Sequence, residues 1–170
     1  MLDALALPVT LESRAGGTVL RRAVLDDAEA VVALLADDPI SSARGDVAAR
    51  DDLPAYTSAL AAIIADPSNE LLVVELDGAV VATLQLTRIP GMARRGATRL
   101  LVEAVRVRSD LRSSGIGSAT MIWVSEVAAP ALGAAMVQLT SDAARTDAHR
   151  FYERLGYVGT HVGFKYAVRS

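Results

Sequence analysis

The stretch Val105-Arg106-Val107-Arg108-Ser109-Asp110-Leu111-Arg112-Ser113-Ser114-Gly115-Ile116-Gly117-Ser118 sets an Arg-x-x-Gly-x-Gly loop directly behind a β-branched run. Val105 to Val107 favour an extended strand. The two glycines permit backbone angles and close approaches denied to other residues, and helical spacing resumes at Ile116. The spacing predicts strand, turn and helix, and the first helical amides then lack intrahelical partners while carrying the positive end of the helix dipole. A phosphate or pyrophosphate is the natural guest of such a turn. Arg112 adds a fixed charge, and Ser113, Ser114, Gly115 and Gly117 are small enough to let an anion reach the backbone. A P-loop would need a lysine that is absent here. A dinucleotide fingerprint would need Gly or Ala where Thr120 stands, which weakens the reading as a nucleotide-dependent oxidoreductase.

A second stretch, Asp147-Ala148-His149-Arg150-Phe151-Tyr152-Glu153-Arg154-Leu155-Gly156-Tyr157, follows about 30 residues later. Arg112-x-x-Gly115-x-Gly117 after a Val-containing strand resembles the acetyl-coenzyme A pyrophosphate loop of the GNAT N-acetyltransferase superfamily. Ala148-x-x-Phe151-Tyr152-Glu153-x-Leu155-Gly156-Tyr157 is similar to that superfamily's C-terminal motif, and the resemblance runs from about residue 18 to residue 166. It implies an α/β (α+β) fold: a mixed central sheet of six to seven strands with about four helices, splayed between strands four and five, here about 98–108 and 134–140. It implies acetyl-CoA as cosubstrate, its pyrophosphate held by the amides from Arg112 through Ile116 to Ser118. The Val107 backbone would pair with the pantetheine amides as an added strand does, and the backbone near Val105, beside Arg106, would receive the acetyl carbonyl. Ala148 and Phe151 belong to the same expected coenzyme surface. Many members carry Asn three residues before the motif Ala; Arg145 stands there in this chain, which puts a side-chain contact to pantetheine in doubt.

The chemistry implied is attack of a primary amine on a thioester. The amine needs its lone pair free, and the thiolate leaves more readily when an acid protonates it. Direct transfer needs no enzyme nucleophile, which suits a chain with no cysteine. On the superfamily's pattern Tyr152 is the acid, its phenol having an ordinary pKa of about 10; the alternative is a core aromatic on the Phe151 stripe. Glu103 is the candidate base, because strand alternation puts it on one face with Leu101, Val105 and Val107, about 7 Å from Val105. An ion pair with Arg88 or Arg106 is the competing role. His149 falls off its helix's apolar stripe and is expected in solvent, His161 lies where a closing hairpin would wall the acceptor cleft, and Asp142 either binds acceptor or caps a turn. A carboxylate-bearing cleft favours a cationic small molecule or a protein amine as acceptor. Arg88, Arg94, Arg95 and Arg99 around one loop favour an acceptor with its own acidic group. A non-catalytic acyl-CoA sensor on the same fold is the alternative to an enzyme, and a homodimer stays open.

These groups must be positioned by a domain that composition already bounds. With 170 residues the chain fits one domain able to bury roughly 70% of its unfolded surface. Two histidines and no cysteine make no convincing metal site. A net charge of -3 and 4% aromatic residues argue against nucleic acid as a partner. Residues 1–9 are too short and unflanked by basic residues to be a signal or a spanning helix, so no membrane partner and a cytoplasmic location are expected. The organisation expected is a loosely held arm over 1–16 followed by an acetyltransferase domain over 17–170. Within it, 17–24 reads as the first strand. Asp26 and Glu29 open a helix whose stripe is Ala28, Val31, Val32 and Leu35. Pro54 starts a second helix with the stripe Tyr56, Leu60, Ile63 and Ile64. Asp77-Gly78 between 71–76 and 79–88 is a hairpin signal, with Val80, Ala82, Leu84 and Leu86 on one face and Thr83, Gln85 and Thr87 on the other. After the cradle come a helix with the stripe Ile116, Ala119, Trp123 and Val127, a strand over 134–140, and a helix capped by Thr146 and stopped by Gly156. Closing strands with bends at Gly159 and Gly163 are expected over 157–168.

Overall fold

Leu- and Val-rich strands line up in one six-stranded sheet in a computed structural model that describes residues 2–42 and 48–168. The spatial order is β1 (Val9–Ser13), β2 (Gly16–Arg22), β3 (Asn69–Leu76), β4 (Ala79–Ile89), β5 (Arg99–Val107) and β6 (Met136–Leu139). Neighbours from β1 to β5 are antiparallel, and β6 alone joins its neighbour in parallel, so the β5–β6 connection needs a crossover helix. That crossover is α3 (Ile116–Trp123), extended by a π turn over Val124–Ala128. The other helices longer than four residues among the described residues are α1 (Ala28–Ala36) and α2 (Leu53–Ala65), between β2 and β3, and α4 (Thr146–Arg154). No helix among the described residues is long and apolar enough to cross a membrane.

Apolar side chains cover both faces of the sheet. On one, Leu20, Leu72, Leu84, Leu86, Leu100 and Val102 pack with Ile116, Met121 and Trp123 of α3. On the other, Leu71 and Val73 pack with Ala28 and Val31 of α1 and Leu60 of α2. The π turn inserts an extra residue into the crossover, so its buried face passes to Val124 and Ala128 while Val127 is exposed. In α2 only Leu60 of the expected stripe is buried, and Ile64 is exposed.

Of the expected loose arm over 1–16, the described residues 2–16 are held against the sheet. β1 pairs with β2 from Val9↔Leu20 to Ser13↔Gly16, and Leu2, Leu5 and Leu11 are buried in the larger core. Arg22 Nη2 donates to the Leu2 and Leu5 carbonyls, both at 3.1 Å. An apolar segment beside an otherwise open sheet edge gains more by pairing than by staying in water. The β3–β4 hairpin turns at Asp77 and Gly78, both with positive φ, as the dipeptide demands. A register shift opposite Val74 and Glu75 leaves Val81 as an extra residue, so Val80 packs in the α1–α2 core and not with Ala82, Leu84 and Leu86. The carboxylate that caps the turn before α1 is Asp27, not Asp26; it accepts the Val24 N–H at 2.8 Å. The closing strands expected over 157–168 do not form, and Phe164 and Tyr166 are 93% and 91% exposed. The sheet edge at β6 offers only four residues for pairing, and Gly159 and Gly163 raise the entropy cost of ordering a hairpin there.

Candidate active site

Two irregularities in β5 build the site. The first is a bulge: Thr83 pairs with Arg106 and Gln85 with Glu103, so Leu84 faces both Ala104 and Val105, and Ala104 adopts φ 51°. A left-handed alanine costs about 1–2 kcal/mol, which the surrounding ladder sustains. The extra residue moves Val105 and Val107 to the larger core, alongside Leu100 and Val102. Glu103 is left on the opposite face with Gln85 and Leu101, so the expectation that Glu103 shares a face with Val105 and Val107 fails.

The second irregularity is a parting of strands. β6 pairs only with Arg99 to Val102, and from Glu103 to Val107 the β5 edge has no strand beside it on that side. The Val105 carbonyl accepts Arg106 Nη1 at 2.8 Å, and the Val107 carbonyl accepts Arg112 Nε at 3.5 Å. Beyond β5 the chain makes a short turn over Ser109–Leu111, passes Ser113 at φ 62° and Gly115 at φ 95°, and enters α3 at Ile116. The Arg112 and Ser114 amides donate within the turn, to the Ser109 and Leu111 carbonyls, both at 3.3 Å. The amides of Ser113, Gly115, Ile116, Gly117 and Ser118 donate to no described residue. A side chain at Gly115 would approach the Arg14 amide to 3.2 Å in a backbone conformation that L-residues rarely adopt. At Gly117 it would meet Val107 and Phe151, both at 3.5 Å. The cradle residues, Val107 and Phe151 therefore converge at the parted edge, with Ala148 half-buried on the same helix as Phe151.

Tyr152 is half-buried beside them. Its ring sits edge-on to Phe151 at 5.0 Å and to Tyr157 at 5.8 Å. The Tyr157 hydroxyl shares a 2.7 Å hydrogen bond with Ser125, whereas the Tyr152 hydroxyl bonds no described residue. Burial holds the Tyr152 phenol above the ordinary tyrosine range, and the charges of Arg106 and Arg145 pull the other way. Glu103 is exposed and pairs with neither Arg88 nor Arg106; Arg88 Nε donates to the Leu132 carbonyl at 3.4 Å.

Arg145 binds Asp38 through two bonds, Nη1 to Oδ2 at 2.6 Å and Nη2 to Oδ1 at 2.5 Å. Sequence reasoning read Asp37-Asp38-Pro39 only as a helix end, because the partner lies 107 residues away. His149 is half-buried, its Nε2 2.9 Å from the Asp142 carbonyl. Asp142 caps a turn, its carboxylate accepting the Ala144 N–H at 2.8 Å. Thr146 makes no cap; Arg145 precedes the helix. His161 is exposed and bonds Thr160. Arg94, Arg95 and Arg99 are exposed around the β4–β5 connection, with Arg94 and Arg95 at positive φ.

Residues 28–157 match the model of the acetyltransferase (GNAT) family. The chain is 30% identical over 149 residues to an aminoalkylphosphonate N-acetyltransferase of Salmonella typhimurium, covering 88% of this chain and 90% of that one. Among solved structures, a transcriptional regulator from Bacillus halodurans superposes with a TM-score of 0.84 at 35% identity, over 89% of this chain and 99% of that one. A Clostridium acetobutylicum protein described as a predicted acetyltransferase with acetyl-CoA superposes with a TM-score of 0.65 over 88% of this chain and 96% of that one; at 15% identity it speaks to the fold alone.

Proposed function

The chain belongs to the acetyltransferase (GNAT) family and is an acetyl-CoA-dependent N-acetyltransferase, and from that premise we propose that it acetylates the primary amine of a small acceptor carrying an anionic phosphonate or similar group. The observation that carries the reading is Tyr152: a half-buried phenol whose hydroxyl bonds none of the described residues and which feels the charges of Arg106 and Arg145, beside the parted edge of β5. The name of the Salmonella relative supports the acceptor class. So do the exposed Arg94, Arg95 and Arg99, which suit a doubly charged anion better than a cationic acceptor.

The free amides of Ser113 and Gly115 to Ser118, with Arg112 beside them, fit a pyrophosphate. The unpaired β5 edge at Val105 and Val107 fits an extended amide-bearing arm. When bound there, acetyl-CoA supplies an acetyl group activated as a thioester. The Tyr152 Oη–H donates its proton to the departing sulfur, and burial keeps that proton in place at neutral pH. The Arg106 and Arg145 charges stabilise the tyrosinate formed as the proton leaves, which is why a phenol so placed serves as an acid. Glu103, on the α1 face of β5, takes the proton released by the amine through a water, its carboxylate pairing with no cation among the described residues. From that face Glu103 serves only an acceptor that enters the parting from the α1 side, about two residues' rise or 7 Å along the strand from Val105.

A panel of amines read out as free thiol release tests the proposal. Short aminoalkylphosphonates are expected to give a kcat/KM at least tenfold above the same amines without the phosphonate. Equal rates with and without the anionic group overturn the acceptor class. Tight acetyl-CoA binding with no thiol release on any amine would favour a non-catalytic sensor.

A further inference from the structure

The turn that ends α1 reaches across the parted strands, and it does so through two adjacent carboxylates. On the β5 side, Asp37 Oδ2 accepts the Ser109 N–H at 2.6 Å, and the Asp37 carbonyl accepts Arg112 Nη2 at 3.2 Å. On the far side, Asp38 takes both guanidinium nitrogens of Arg145, the residue on which α4 begins. One dipeptide thus touches the turn leading into the cradle and the helix that carries Tyr152. Asp38 is only 8% exposed. A carboxylate so buried demands its partner, and a two-pronged pairing with a planar guanidinium fixes direction as well as distance. The same helix, α1, covers the sheet face on which Glu103 stands: Val31 packs with Leu71, Leu71 pairs with Gln85, and Gln85 pairs with Glu103.

We propose that the Asp38–Arg145 pair is a strut that holds the acceptor-side helix α1 at a fixed distance from the cofactor-side helix α4, which makes Asp38 and Arg145 positioning residues for acetyl transfer. The proposal rests on the transferase reading above. Asp38 touches neither reacting group in this account; it acts through Arg145, whose charge lies near Tyr152. The strut gives a physical role to the guanidinium that precedes α4, which joins two halves of the cleft. A misplacement of about 1 Å between acceptor and thioester is enough to cost on the order of a hundredfold in rate.

The experiment compares Asp38→Asn, Arg145→Gln and the reversed pair Asp38→Arg/Arg145→Asp with the native protein. Three readouts are taken: acetyl-CoA affinity by titration calorimetry, kcat/KM for the acceptor at saturating acetyl-CoA, and hydrogen exchange over 37–42 with and without coenzyme A. Each single change is expected to lower kcat/KM about 10- to 100-fold while acetyl-CoA affinity stays within about threefold. The reversed pair restores the pairing but removes a cation from near Tyr152, so it is expected to recover only part of the loss, about three- to tenfold over the worse single, and coenzyme A is expected to slow exchange over 37–42 in the native chain and the reversed pair but in neither single. Singles with native kcat/KM, a reversed pair no better than the worse single, or parallel loss of acetyl-CoA affinity overturn the strut. Should the variants fail to fold, the native exchange experiment decides, and protection unchanged by coenzyme A overturns it. A native protein that gains protection with coenzyme A yet releases no thiol on any amine defeats the transferase reading and leaves the strut standing.

Discussion

Two seams of the sheet, β2–β3 towards one end and β5–β6 at the other, treat their polar groups in opposite ways. Where β2 meets β3, Arg21 spends its guanidinium on Asp27 at 2.7 and 2.8 Å and on Glu75 at 2.9 and 2.7 Å. Asp27 also takes the Val24 N–H, and Arg22 pairs with Glu70 at 2.8 Å. Where β5 parts from β6, five cradle amides and the Tyr152 hydroxyl have no described partner, and Ser141 Oγ, just past β6, is buried without one. A chain able to satisfy charged groups at one seam has the means to satisfy neutral ones at the other. Donors left open side by side along one parted edge, with the buried Arg106 Nε before them and Ser141 Oγ after them in sequence, suit a ligand that would satisfy them.

The widest separation between the two seams is expected from paired substitutions. Tyr152→Phe should lower kcat about 10²- to 10³-fold, with the acetyl-CoA dissociation constant and the melting temperature nearly unchanged; a kcat within threefold of native would sink the acid role. Arg21→Met should do the reverse. It strands the buried Asp27 carboxylate and should cost about 2–3 kcal/mol in urea unfolding, less than a fully buried pair because Arg21 is partly exposed, while kcat at low temperature holds. The pH dependence carries a sign. Arg21 holds the Asp27 carboxyl below the usual range, so the stabilisation is complete at neutral pH and is lost as acid protonates Asp27 below its ordinary pKa of about 4. In Arg21→Met that acid-side loss should flatten, and an unchanged slope between pH 5 and 2.5 would remove Asp27 from the account.

What could be read from sequence divides along the same line. The Arg112–Gly117 loop, the 146–157 motif and the Asp77-Gly78 turn are contiguous, and local backbone chemistry made each visible. The bulges at Val81 and Ala104 leave no trace in the sequence, because one extra residue alters no composition and still reverses which face every later side chain takes; an unbulged strand puts Glu103 on the face of Val105. The Asp38–Arg145 pair joins positions that no periodicity connects. Neither the short apolar stretch at the start of the chain nor the run 157–168 tells by itself whether it pairs, because pairing depends on what edge is offered. The first found the open side of β2, and the second met only the four residues of β6.

A smaller effect tests the electrostatics around Tyr152. Arg106→Gln removes the larger of the two charges that oppose burial at the phenol. The Tyr152 pKa should then rise further, carrying the alkaline limb of the kcat profile to higher pH, while kcat at pH 8 falls about tenfold because the tyrosinate is less well stabilised. A limb that moves to lower pH would show that Arg106 does not act on this hydroxyl.

The smallest expected change lies in the bulge itself. Ala104 holds a left-handed conformation that costs an L-residue about 1–2 kcal/mol, and glycine would relieve it. Glycine also widens the unfolded ensemble at a cost of about 0.4–1 kcal/mol. The difference leaves Ala104→Gly stabilised by about 0.5 kcal/mol, a melting-temperature rise of about 1–2 °C in a chain of this size. The methyl group has a second duty, since an alanine resists sliding of the β5 register that glycine would permit, and Val105 depends on that register to face the parted edge. The variant should therefore melt slightly higher while its KM for acetyl-CoA rises two- to threefold. A lower melting temperature would mean that the bulge is not strained, and an unchanged KM would mean that the register past Glu103 is held by the Thr83–Arg106 and Ala82–Val107 pairs alone.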